Sequence, residues 1–150
     1  GGQVRLNVCM SRARKFAEEY NFKLLRLGGD ACGLLEAISN AARPLGDVWD
    51  EVWCAAGTGT LSRALQQAFP SAQHFAVQLG QLMSAEKAGK AVVIPYTKHP
   101  MWEPNRIESP FPSCPHYDRK AWELCREHAR KPQNRRKKIL FWNVLGGLHT

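Results

Sequence analysis

The chain has 150 residues, 44% of them hydrophobic and 23% charged, which is enough to bury one core and excludes a disordered tail, a collagen-like fibre and a disulfide miniprotein. Lys and Arg outnumber Asp and Glu by 21 to 13, a net charge of +8, but the stretch from Arg126 to Lys138 carries seven of the basic residues against the single acid Glu127. The rest of the chain is therefore close to neutral, and a polyanion-seeking character, if present, belongs to that one segment.

In chain order, Met10 to Tyr20 places Ala13, Phe16, Ala17 and Tyr20 at helical spacing, and Asn21 is a natural stop. The apolar run from Phe22 to Leu27 then predicts a short strand. Gly28-Gly29 turns the chain, Asp30 is a plausible N-cap, and Leu34, Leu35, Ile38 and Ala42 form the buried stripe of a second helix ending near Pro44. A strand follows over residues 50–56, then a glycine-rich turn, Gly57-Thr58-Gly59-Thr60, and a helix from Leu61 to Phe69 closed by Pro70. Residues 73–79 and 91–95 are further strand candidates.

Six prolines fall between Pro95 and Pro115, so residues 95–116 predict an irregular loop, and a loop of that length is usually functional or a linker. Trp102, Phe111, His116 and Tyr117 either line a mouth on it or pin it to the core. Tyr117 to Arg130 returns to helical spacing with Asp118 able to cap its start, and residues 138–144 read as the last strand before Gly146-Gly147. Alternating strands and helices predict a single α/β domain over residues 1–150, with three layers, a mostly parallel sheet and helices on both faces, a Rossmann-like arrangement.

The cysteines Cys9, Cys32, Cys54, Cys114 and Cys125 are odd in number and include no C-x-x-C pair. That disfavours a disulfide framework and a zinc ribbon and predicts a reducing, cytoplasmic setting with no metal. No apolar run approaches the ~18 residues that span a bilayer, and Gly1 to Arg5 contains no apolar signal core, so no membrane association is expected.

The strongest local signal for chemistry is Gly57-Thr58-Gly59-Thr60 between a strand and a helix. Glycines let the backbone wrap an anion, the helix N-terminus offers unpaired N–H groups, and the threonine hydroxyls add donors. In open α/β sheets ligands gather at this end of the strands. Neither nucleotide motif fits, because Ser62 stands where the third glycine of G-x-G-x-x-G belongs and no Gly-Lys-Ser/Thr follows. A glycine turn without a ligand is the plain alternative. Cys54 beside this loop reads as a small buried apolar residue before it reads as a reactive thiolate.

The run from Leu27 to Ala37, followed by residues 50–65 with their G-T-G-T loop, resembles the large-domain portion of fold type II pyridoxal-phosphate enzymes, and within them the aminocyclopropane-carboxylate deaminase and D-cysteine desulfhydrase group. The resemblance covers about half the chain. It implies that Gly57, Thr58, Gly59 and Thr60 hold the cofactor phosphate, that Asn143, Gly146 and Gly147 stand where the family closes the site with a His-Thr-Gly-Gly turn, and that the chemistry is that of a lyase or deaminase on a small amino acid, with a homo-oligomer compatible with it. The sequence departs from the family in three respects. Leu61 replaces a threonine, Asn143-Val144 replaces His-Thr, and the N-terminal Gly-Gly-Asn-Lys segment that bears the Schiff-base lysine has no counterpart beyond Gly1-Gly2-Gln3. Lys15, Lys23, Lys87, Lys90, Lys98 and Lys120 are available, and the pattern singles out none. A fragment, a divergent phosphate binder and an inactive relative stay open.

Two other classes compete. A phosphoribosyltransferase also uses a strand, a Thr-Gly-Thr loop and a helix, but its paired acids belong just before the loop, whereas Asp50 and Glu51 start the strand, roughly 20 Å away at ~3.3 Å per residue. A non-catalytic basic module would bind nucleic acid or another acidic partner through Arg126 to Lys138 with strong salt dependence. The same run also suits a solvated helix end, and it lacks interleaved aromatics for base stacking.

Overall fold

The computed structural model describes residues 2–25, 28, 33–80 and 83–144. Its centre is β1 (Glu51–Ala56), buried along its whole length, as expected of a parallel strand covered on both faces, which needs a continuous apolar run rather than alternation. β1 pairs in parallel with β2 (Gln73–Gln78) on one side and β4 (Ile139–Trp142) on the other, and β2 carries β3 (Val92–Pro95) at the edge, giving the order β3-β2-β1-β4. In this register Cys54 lies opposite Ala76 and Trp142.

The period of two along β1 divides the core. Val52 and Cys54 pack with Ala42, Leu65, Ala68 and Phe69 beneath α2 (Leu34–Ala42) and α3 (Thr60–Ala68). Trp53 and Ala55 face the other way and join Phe75, Val77, Ala121 and Cys125 under α5 (Asp118–Arg130). Leu65 and Phe69 are fully buried, each contributing about 1.5–3 kcal/mol by removal from water. The result is a three-layer α/β sandwich with an all-parallel sheet, as the order of elements predicts.

Several local expectations need correction. The first helix, α1 (Gly2–Glu19), begins well before Met10 and ends as expected, with Asn21 in the left-handed region at φ 54°. No strand forms over residues 22–25. Residues 26 and 27 of the expected strand lie outside the described residues; among those described, no sheet edge meets the run, and Phe22 is 63% exposed, with its ring 6.1 Å from Phe16 and 6.2 Å from Tyr20 at the end of α1. The N-cap position of α5 is held by Tyr117, whose side chain makes no capping hydrogen bond, and Asp118 is the first residue of the helix, fully buried, accepting from the Val144 N–H at 3.4 Å. A short helix, α4 (Ala85–Ala88), had no sequence signal beyond Ser84, whose Oγ accepts from the Lys87 N–H at 3.4 Å. Asp30, Cys32, Gly146 and Gly147 lie outside the described residues. Among the described residues, no helix is long and apolar enough to cross a membrane.

Candidate functional site

The β1–α3 loop lies at the carboxyl end of the central strand. From β1 the chain crosses through α3 to β2 on one side, while β4 returns on the other side by way of α5. The order of strands therefore reverses next to Gly57, and such reversals open a crevice above the sheet.

Close neighbours shape the loop. Gly59 occupies the N-cap position of α3 at φ 84°, and a Cβ there would sit 2.5 Å from the Lys87 carbonyl oxygen and 3.0 Å from Met83 Sδ. Only glycine allows both the conformation and the contact with α4. A Cβ at Gly28 would lie 2.2 Å from Thr58 Oγ1, so the backbone at Gly28 rests on Thr58. Gln78, at the end of β2, donates to the carbonyls of Ala56 at 3.1 Å and Gly57 at 3.2 Å and accepts from the Met83 N–H at 3.3 Å. Thr58 Oγ1 and Thr60 Oγ1 stand 3.3 Å apart. The Gly59 carbonyl accepts from the Arg63 N–H at 3.0 Å, closing the first turn of α3.

Tyr117 forms the wall on the α5 side, its hydroxyl 3.2 Å from where a Gly57 Cβ would lie. Burial, followed by the negative potential of its neighbours, pushes this phenol up to about 12, so it is a neutral donor at physiological pH. Asn143 follows β4 immediately, one residue beyond the Cys54–Trp142 pair, and so reaches the loop's end of the sheet. Its amide nitrogen donates to the Pro112 carbonyl at 2.9 Å, whereas Oδ1 is shielded from solvent without a partner among the described residues.

Other residues singled out from sequence fall into plain roles. Cys54 is 2% exposed, and burial raises its thiol to about 12 against the effect of a Ser62 hydrogen bond; it is no thiolate. Phe111 pins the proline-rich loop, its ring 5.1 Å from Trp122 and 5.7 Å from Phe141, while Trp102 is 82% exposed. In the basic segment, Lys137 binds Glu51, and Glu127 pairs with Lys98. Arg130, Lys131, Arg135, Arg136 and Lys138 remain on the surface.

Two polar clusters escaped the sequence reading because their members are distant in the chain. Glu51, 1% exposed, accepts from Trp53 Nε1 at 3.1 Å and Lys137 Nζ at 2.5 Å and lies 2.9 Å from His128 Nε2. It starts β1, at the sheet end opposite the loop, and these contacts occupy its carboxylate. Glu123 accepts from Tyr96 Oη and Asn105 Nδ2, both at 2.7 Å, and from Lys98 Nζ at 3.2 Å. Beside that cluster, fully buried Lys120 donates to the Pro100 carbonyl at 2.5 Å and lies 5.3 Å from the Tyr96 ring centre. No family model, no curated protein and no solved structure matches this chain.

Proposed function

We propose that the chain binds a phosphate-bearing ligand in the loop from Gly57 to Thr60, with pyridoxal phosphate the specific ligand that the sequence resemblance suggests. The observation that carries the proposal is the position of this loop, at the carboxyl end of the central strand where the order of strands reverses and a helix begins. The free N–H groups of the first α3 turn would face the phosphate, Thr58 and Thr60 would add hydroxyls, and Tyr117 and Asn143 border the same end of the sheet.

Pyridoxal phosphate supplies an electron sink for amino-acid chemistry, and it ordinarily needs a lysine. Three lysines have their Nζ atoms engaged elsewhere, Lys98 with Glu123 and Glu127, Lys120 with the Pro100 carbonyl, and Lys137 with Glu51. Those three side chains are therefore unsuited to the aldehyde, and the proposal rests on phosphate recognition by the loop, with no lysine and no lyase or deaminase step assigned. The phosphoribosyl alternative is disfavoured by the commitment of Glu51 to a buried cluster.

Thermal unfolding measured with pyridoxal phosphate, inorganic phosphate and pyridoxal tests the reading. The expected result is a rise in Tm with the phosphate-bearing compounds that pyridoxal does not reproduce and that Thr58→Val diminishes. Equal effects of pyridoxal and its phosphate, or none from any of the three, would refute phosphate recognition. Borohydride trapping followed by mass mapping reports separately whether any lysine takes part.

A further inference from the structure

Away from the β1–α3 loop, an open groove of about 410 Å³ runs between the proline-rich loop and the outer face of α5, lined by Glu108, Ser109, Pro110, Trp122, Arg126 and Arg130. Its volume falls within the ordinary range for small-molecule sites. Trp122, Arg126 and Arg130 are spaced by four residues and so form one stripe along the helix. Two N–H groups of this stripe, Trp122 Nε1 and Arg126 Nε, are shielded from water and lack an acceptor among the described residues. Buried donors without acceptors are rare because each forfeits its hydration with no return. Here two of them, from adjacent turns, belong to side chains lining one groove.

The surroundings make this shortage specific. The Trp122 ring is fixed by Phe111 at 5.1 Å and Phe141 at 5.4 Å, both edge-on, so the indole cannot readily turn to find another partner. Arg126 is held more loosely, with Nη1 donating to the Glu108 carbonyl at 3.4 Å; a small swing of its guanidinium presents Nε to a ligand oxygen in the groove. Ser109 Oγ is already donating to the Phe111 carbonyl at 2.8 Å. The groove therefore offers guanidinium donors and charge from Arg126 and Arg130, beside the apolar surfaces of Pro110 and Trp122. Glu108 on the lining opposes a densely charged polyanion.

We propose that this groove is a binding site for a small organic oxyanion, a carboxylate or phosphate ester with an apolar body, whose oxygens accept from the guanidinium of Arg126 once it swings, while Arg130 contributes charge and the Trp122 ring flanks the apolar body. The site is separate from the loop at Gly57 and does not depend on its reading.

The test is a titration of the ¹⁵N-labelled full chain with benzoate, phenyl phosphate and inorganic phosphate, following the Trp122 indole and Arg126 Nε–H cross-peaks. The expected result is a saturable shift of both peaks with benzoate, phenyl phosphate or both, the stronger one identifying a carboxylate or a phosphate ester as the source. Arg126→Lys, which keeps the charge but loses the guanidinium fork, is expected to weaken binding about tenfold or more, while Arg135→Ala/Arg136→Ala leaves it within about twofold, as distant screened surface charges should. Arg130→Lys supplies the same comparison should Arg126→Lys fail to fold. Absence of saturable shifts, inorganic phosphate binding as tightly as either organic anion, or equal weakening by the Arg135/Arg136 change would each overturn the proposal.

Discussion

Glu51 and Lys137 stand 86 residues apart in sequence and are joined by a 2.5 Å ion pair at the amino end of the sheet. Glu51 opens β1 and Lys137 sits just before β4, so the pair fastens two neighbouring parallel strands at their starting register. Removing one partner from a buried hydrogen-bonded charge leaves the other desolvated without compensation. Lys137→Met is expected to lower unfolding stability in urea by about 1–3 kcal/mol, His128 and Trp53 limiting the loss; an unchanged midpoint would show that the pair is incidental.

The same cluster predicts an acid limb. Burial alone would raise the Glu51 carboxyl, but hydrogen bonds from Lys137, Trp53 and His128 outweigh it and hold the group below the ordinary glutamate value of 4.5. Because the folded state binds the proton less readily, the stabilisation is complete above that value and is lost as pH falls through the lower folded-state value. Glu123 is held low in the same sense, burial again being outweighed by Tyr96, Lys98 and Asn105. Stability measured against pH should fall below about 4.5 in the wild type and fall less steeply in Glu51→Gln, whose own stability at neutral pH is lower. Parallel acid limbs in the two proteins would exclude Glu51 as a source.

The two loop glycines separate shape from binding. Gly59→Ala places a methyl against the Lys87 carbonyl in a backbone region hostile to side chains, so a loss of at least about 1–3 kcal/mol is expected from conformation alone. Gly57 has no positive φ, and the nearest atom to an added Cβ is the Tyr117 hydroxyl at 3.2 Å, the end of a side chain able to give slightly. Gly57→Ala should therefore change stability by less than about 1 kcal/mol while impairing any phosphate effect on Tm, because its methyl occupies the mouth of the loop. Equal destabilisation by both substitutions would contradict this division.

Legibility from sequence followed the range of the interactions. The run Val52-Trp53-Cys54-Ala55-Ala56, bounded by Gly57, carries its own signature because a strand buried on both faces needs no polar alternation. The run from Phe22 to Leu25 has comparable local character but meets no strand among the described residues, and backbone pairing, not hydropathy, makes a sheet. Within the loop, the anion-cradle pattern could be read, yet the contacts of Gly59 with α4 and Gly28 with Thr58 could not, because they show only when distant segments meet. The cation-rich segment read as one unit, but the buried carboxylate of Glu51 divides it, pairing with Lys137 at the surface and leaving Arg135 and Arg136 exposed beside it.

Asn105 organises the proline-rich loop. It is 2% exposed, donates to Glu123 at 2.7 Å and Tyr96 at 3.1 Å, and accepts from the Ile107 N–H at 2.9 Å, while its own N–H reaches the Pro115 carbonyl. Prolines cannot donate backbone hydrogen bonds, so this side chain replaces what secondary structure would have provided. Asn105→Ala is expected to cost about 1–3 kcal/mol and to speed amide exchange at Ile107 more than at Val77 in the sheet. Uniform acceleration across both would indicate global destabilisation instead of a loosened loop.

Thiol chemistry provides a check on the two faces of the sheet. Cys54 lies under α3 and Cys125 under β1 on the opposite side, and burial raises both thiols to about 12. At pH 8 each is therefore protonated as well as inaccessible, whereas Cys9 on α1 is exposed. Iodoacetamide on the native chain, followed by peptide mass mapping, should modify Cys9 readily and leave Cys54 and Cys125 unmodified until denaturant is added. Early labelling of Cys54 would mean that α3 leaves the sheet in native conditions, opening the β1–α3 loop with it. Labelling of Cys125 alone would place the weak point in α5 instead, on the face that carries the groove beside Trp122.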